Sequence, residues 1–151
     1  MNHKVDPHQS SILDADANLV ALSVYLIPFL GNFMSLGVIC WVLPVVALFL
    51  EKKSSLVFFH SVQSLVLQAA VLILNVLMIV FGFAFAGSNL LIGANIFGAI
   101  GIVGVLSLLG TVVTVIVMAV EIVGIVKAYS WEVYYLPIFG EITKIFTNKQ
   151  V

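Results

Sequence analysis

Between Asn18 and Lys127 the chain is apolar almost without interruption, and its few polar positions are patterned. At about 100° per residue, His60, Ser61, Gln63, Ser64, Gln68 and Asn75 share one stripe of a helix whose other faces carry Leu65, Val66, Leu72 and Ile73. Such a stripe has to face protein or water. The run of Val, Leu and Ile from Val66 to Val80 would also suit a buried strand, but its uninterrupted length decides for a helix over about 56–86.

Upstream, residues 18–50 are 33 positions without a charge. As one straight helix they would reach about 50 Å, beyond a hydrocarbon core of about 30 Å. Pro28, Gly31 and Asn32 stand where a break belongs. The reading is a short helix over 18–30 and a second over 33–50 that bends at Pro44. The first arm is too short for an ordinary span, so a re-entrant hairpin is favoured over one kinked span.

Downstream, Gly87-Ser88-Asn89 predicts a loop, followed by an outer segment to about residue 99 and a last span over 100–127. Glycines 93, 98, 101 and 104 leave flat surface for ordinary packing of a neighbouring helix. Beyond Ala128, Tyr129, Trp131, Tyr134 and Tyr135 suit the headgroup level. Ile138, Ile142, Ile145 and Phe146 then share one face, with Glu141 and Lys144 opposite. This last helix lies along the membrane or packs on the cytoplasmic ends of the spans.

Composition fixes the solvent. With 62% hydrophobic and 9% charged residues, the chain lies outside the soluble range. The expected fold is all-α: a polytopic membrane bundle of about four helices, the first two short or re-entrant, plus a C-terminal interfacial helix. It divides into a polar tail (1–17), a membrane domain (18–128) and an aromatic, amphipathic cytoplasmic segment (129–151). The apolar run after the tail continues through Trp41 with no polar mature region behind it, so it is retained rather than cleaved as a signal peptide.

Charge then gives orientation. Lys52 and Lys53 form one basic site, and Lys127, Lys144 and Lys149 a second; both belong on the cytoplasmic side, placing Gly87-Ser88-Asn89 on the other. A net charge of -1 offers no basic field for nucleic acid. His3 and His8 read as solvated tail residues rather than metal ligands, and the lone Cys40 as a space-filler.

Chemistry concentrates on Glu121. It lies six residues before Lys127, about 9 Å deeper along the helix, and Lys127 is off the adjacent i+4 position. A carboxylate at that depth needs a partner across a helix interface, and His60 or Gln63 stands at the expected level. The candidate intramembrane cluster is therefore His60, Gln63, Ser64, Gln68, Asn75 and Glu121. It serves either as structural glue or as a path for a proton, ion or headgroup. No phosphate-cradling loop, zinc helix or nucleophile elbow occurs, and His60 and Ser61 point about 100° apart, so no catalytic, cofactor or metal residues are assigned.

Pro44, Glu51-Lys52-Lys53, the segment from Val57 to Leu65 with His60-x-x-Gln63, Gln68, and Ile125-Val126-Lys127-Ala128 followed by Glu132, Tyr134, Tyr135 and Pro137 together form a pattern. Over about residues 19–146 it resembles the bacterial Tic-twenty-like membrane proteins, catalogued as domain of unknown function 4870. Ser64-Leu65-Val66-Leu67 departs from the family's usual Ala-Leu-Asn-Phe, and the glycine-rich stretch over 91–110 is long. The resemblance implies four membrane helices with both termini cytoplasmic. The expected role is an accessory or scaffold protein of the cytoplasmic membrane, in contact with lipid and with its own copies or another membrane protein. The competing role is a small channel or transporter.

Overall fold

The computed structural model describes residues 3–34, 41–91, 96–137 and 139–147. The order is β1 (His3–Lys4), α1 (Ala17–Phe33), α2 (Val42–Leu50), α3 (Ser55–Leu91), α4 (Ile96–Tyr129), β2 (Glu132–Val133) and α5 (Gly140–Thr147). The fold is helical, its only sheet among the described residues being the two-residue antiparallel pair β1–β2, with His3 opposite Val133. Residues Ser55–Ser88 and Ile100–Tyr129 are each long and apolar enough to cross a membrane. Cys40, Gly93, Asn95, Ile138 and Lys149 lie outside the described residues.

Two compact units make up the chain: Met1–Gln68 with Met118–Val151, and Ala69–Val117. The first has a conventional core. Ala17, Val20, Ala21, Val24 and Tyr25 recur at helical spacing on α1 and bury against Ala47, Leu56, Val57, Phe59, Ala128, Val133 and Leu136. On α4 the buried residues Glu121, Gly124 and Ala128 form one stripe of the same kind. Gly124 is required there, since a Cβ would stand 2.8 Å from Cε1 of Tyr25.

The break expected around Pro28, Gly31 and Asn32 comes slightly later, because α1 runs through all three to Phe33 rather than ending at residue 30. Proline 28 offers no N–H to the carbonyl of Val24, and the Ser64 hydroxyl donates to that oxygen at 2.7 Å instead. Pro44 causes no bend either: it sits in the first turn of α2, where a missing N–H leaves nothing unmatched. The second helix therefore begins at Val42, not Phe33, and the loop expected at Gly87-Ser88-Asn89 is helical, as α3 continues to Leu91. Of the outer segment expected up to residue 99, residues 90–91 belong to α3 and 96–99 to α4, and 92–95 lie outside the described residues.

The polar tail is the largest departure. It folds onto its unit while most of its side chains, His3 among them, stay exposed: Val5 N–H donates to the Trp131 carbonyl at 2.8 Å and Ala17 N–H to that of His8 at 3.0 Å. A tight turn at Leu13 and Asp14, both with positive φ, closes with Ala15 N–H donating to Ile12.

The second unit has no such core. Leu72, Ile73, Val76, Phe83 and Phe85 of α3 and Phe97, Val105, Leu108, Val112 and Ile116 of α4 are half or more exposed. An apolar groove of about 420 Å³, lined by residues such as Met78, Gly82, Leu106 and Gly110, runs within this unit.

Candidate functional site: a buried polar cluster on three helices

Four cluster members sit at the start of α3, where His60, Gln63, Ser64 and Gln68 are all buried. Their stripe meets α1. Tyr25 reaches both His60 Nδ1, at 3.2 Å, and Gln63 Oε1, at 2.9 Å, while His60 Nε2 lies 3.0 Å from the Glu132 carbonyl. That carbonyl can only accept, so Nε2 carries a proton. The Tyr25 ring packs edge-on to His60 at 5.6 Å, and Phe59 bridges His60 and Tyr135 with centroids 5.1 and 4.9 Å away.

The hydrogen count around Tyr25 has two solutions. With the hydroxyl donating to Gln63, its oxygen must accept from Nδ1, and His60 is a cation with both nitrogens protonated. Rotating the Gln63 carboxamide by half a turn places its NH₂ on Tyr25 and frees the hydroxyl for a bare Nδ1, making His60 neutral. The second solution avoids a buried cation with no anion hydrogen-bonded to it. In the first, Gln63 Nε2 is left without a partner.

Glu121 has a different partner from those expected. Its Oε1 accepts from Gln68 Nε2 at 2.6 Å and from Asn32 Nδ2 at 3.2 Å, while neither His60 nor Gln63 bonds it. The contact therefore lies eight residues along α3 from His60, about 12 Å deeper. Among the described residues no cation lies within 4.0 Å of this carboxylate, and its Oε2, fully buried, has no hydrogen-bond partner.

Asn75 does not belong to the cluster. It falls in the second unit, is exposed, and donates to the Val71 carbonyl of its own helix at 2.9 Å. Its angular position on the wheel is right, but the protein covering that stripe ends at about Gln68.

A second knot forms around Glu51, which the sequence offered only as a loop charge. Its carboxylate accepts from the Ser10 hydroxyl and from the backbone amides of Ser11, Lys53 and Ser54, the last two at 2.8 and 2.9 Å. Burial pushes this carboxyl up, but the Ser10 hydroxyl and the amides of Ser54, Ser11 and Lys53 outweigh it and hold it at about 2. Ser54 caps α3 through Val57 N–H at 3.2 Å and also meets His8 Nε2 at 2.7 Å. Lys127 donates to Glu132 at 2.7 Å and holds that carboxyl below its usual range.

Tyr25, Asn32 and Glu51 are the residues missed from sequence. One signal was present for the first two: Asn18, Tyr25 and Asn32 are spaced by seven, which places three polar tips on one face of an apolar helix. Asn18 completes the set, donating to the Tyr129 carbonyl at 3.0 Å.

Comparison with known proteins gives no match: neither a family model, nor a curated protein, nor a solved structure matches the chain. Among the described residues no group of three His, Cys, Asp or Glu side chains is placed to hold a metal ion.

Proposed function

We propose that the chain is a small multi-pass protein of the cytoplasmic membrane, of the Tic-twenty-like kind, that acts as an accessory or scaffold protein rather than as a catalyst or conduit. In this reading α1 to α4 are its four membrane helices, the first two short. The tail, the 51–54 loop and the C-terminal segment lie together on the cytoplasmic side, and α5 rests on the surface. Three things support that arrangement: the Ser10–Glu51 and His8–Ser54 contacts, the β1–β2 pairing, and the basic residues 52, 53, 127 and 144. On α5, Thr143 and Thr147 are buried while Ile142, Ile145 and Phe146 point outward, as suits lipid on that face.

One observation carries the choice of scaffold over channel. Among the described residues of 69–117, the polar side chains Asn75, Ser88, Thr111 and Thr114 each bond a carbonyl of their own helix. A conducting path needs polar groups that face a common lumen, and these are spent on backbone. The exposed apolar flanks of α3 and α4 suit lipid and neighbouring helices instead. The purified chain in liposomes is the test: proton, ion and lipid fluxes are expected to equal those of protein-free vesicles. Flux above that level, lost in Glu121→Gln, favours the channel reading.

A further inference from the structure

We propose that Glu121, Gln68 and Asn32 form a binding site for one monovalent cation, a proton or an alkali ion, enclosed within the first unit. Three helices contribute one ligand-bearing side chain each, and two of the three, Glu121 at 0% and Gln68 at 3% exposure, are sealed from the surface. Both amide donors converge on the same oxygen, Oε1, while Oε2 is buried and has no partner. A buried carboxylate with one oxygen unmatched and no counter-charge is costly, and it is relieved by a positive charge on that oxygen.

The surrounding groups do not supply that charge. From α1, the Tyr25 hydroxyl is committed to His60 and Gln63; from α3, His60 is held between Tyr25 and the Glu132 carbonyl; on α4 itself, Lys127 is paired with Glu132. Residues 35–40, which follow α1, contain no charged side chain. The occupant therefore comes from outside the chain.

The donor set limits its class. One carboxylate and two carboxamides provide a single negative charge, which suits a monovalent ion; calcium takes six to eight oxygens, usually from several carboxylates. Gln68 and Asn32 can serve either form. As placed, their NH₂ groups support the carboxyl's Oε1 while a proton sits on Oε2. A half-turn of each carboxamide presents two carbonyl oxygens, the ligands an alkali ion would take beside the carboxylate. Asn32, half-buried near the end of α1, is the side from which an ion reaches the site. This is a binding site and not a path, so it stands whether or not the liposomes of the preceding test conduct.

The experiment is an infrared titration of the full-length protein in neutral detergent, first in choline chloride and then in sodium chloride. In wild type, a carboxyl band typical of an apolar environment is expected to appear as pH falls, and to be missing in Glu121→Gln. If an alkali ion binds, each tenfold rise in sodium moves the midpoint down by about one pH unit, because ion and proton compete. A midpoint indifferent to sodium assigns the site to the proton alone. Should Glu121→Gln not fold, Gln68→Leu serves: it removes the 2.6 Å donor to the anion, so the midpoint moves upward by about one unit. The proposal is overturned if wild type shows no such band, or if band and midpoint are unchanged in both variants. Either result shows that Glu121 holds no buried proton or ion.

Discussion

The hydroxyl of Ser64 donates to the carbonyl of Val24 at 2.7 Å, across an interface between α3 and α1. Val24 lies four residues before Pro28, so this is the backbone acceptor that the proline leaves empty. A serine on one helix thus makes a proline tolerable on another. Ser64→Ala is expected to destabilise the protein by about 1–2 kcal/mol, because the carbonyl becomes buried and unmatched. Pro28→Ala restores the intrahelical bond, so the same serine change should cost far less in that background. Thermal or denaturant unfolding of the four-member cycle reads the coupling; simple additivity would contradict this account.

Gly124 and Tyr25 make the second interlock. A methyl group at position 124 would press on Cε1, Cδ1 and Cζ of the ring at 2.8 to 3.0 Å, and the ring cannot retreat without leaving His60 and Gln63. Gly124→Ala should cost about 1–3 kcal/mol by overpacking, despite its better helix propensity. Tyr25→Leu, which removes the ring, should make the added methyl tolerable. Melting temperatures of the single and double variants in one detergent check both statements.

The polar stripe from His60 to Gln68 was legible because helical periodicity gives angle reliably. Depth was not legible. Counting back from Lys127 put Glu121 level with His60, whereas the steric fit of Tyr25 on Gly124 sets where α1 and α4 meet, and Glu121 falls beside Gln68. Asn75 failed for the converse reason, being at the right angle but beyond the protein that covers its neighbours. The tolerance of Pro28 inside α1 was hidden because the hydroxyl that takes up the Val24 carbonyl lies 40 residues from Val24 in sequence. The docking of the tail was hidden because its hydrogen bonds run to Glu51, Ser54 and backbone, and its apolar contacts come from the scattered Val5, Ile12 and Ala15, which form no periodic pattern.

Glu51 gives the chain a defined response to acid. Its carboxyl is held at about 2 against an ordinary value of 4.5. A depressed folded value means its stabilising contribution is complete above about 4.5 and is lost as pH falls toward 2. Hydrogen exchange at the amides of Ser11, Lys53 and Ser54 is the readout. In wild type, protection should hold at neutral pH and decline through that window; in Glu51→Gln it should be weak and insensitive to pH across it.

Helix α5 turns Gly140, Thr143 and Thr147 inward and leaves Ile145 and Phe146 76% and 63% exposed. Replacing Ile142, Ile145 and Phe146 by serine should leave the thermal midpoint nearly unchanged, since none is buried. A fluorophore attached at Ile145→Cys, in a Cys40→Ser background, should be shielded from aqueous quenchers while Ile142 and Phe146 are present and accessible once both are serine. Equal quenching in both would remove the helix from the bilayer surface.

The most direct measurement is cysteine accessibility in intact cells and in inverted membranes, with Cys40→Ser as background and a membrane-impermeant thiol reagent. Lys53→Cys is expected to react only in inverted membranes, Ser88→Cys only in intact cells, and Val112→Cys in neither. Labelling of Lys53→Cys from outside, or of Val112→Cys at the rate of a solvent-exposed thiol, would contradict a chain that crosses the bilayer with its polar cluster near the cytoplasmic face.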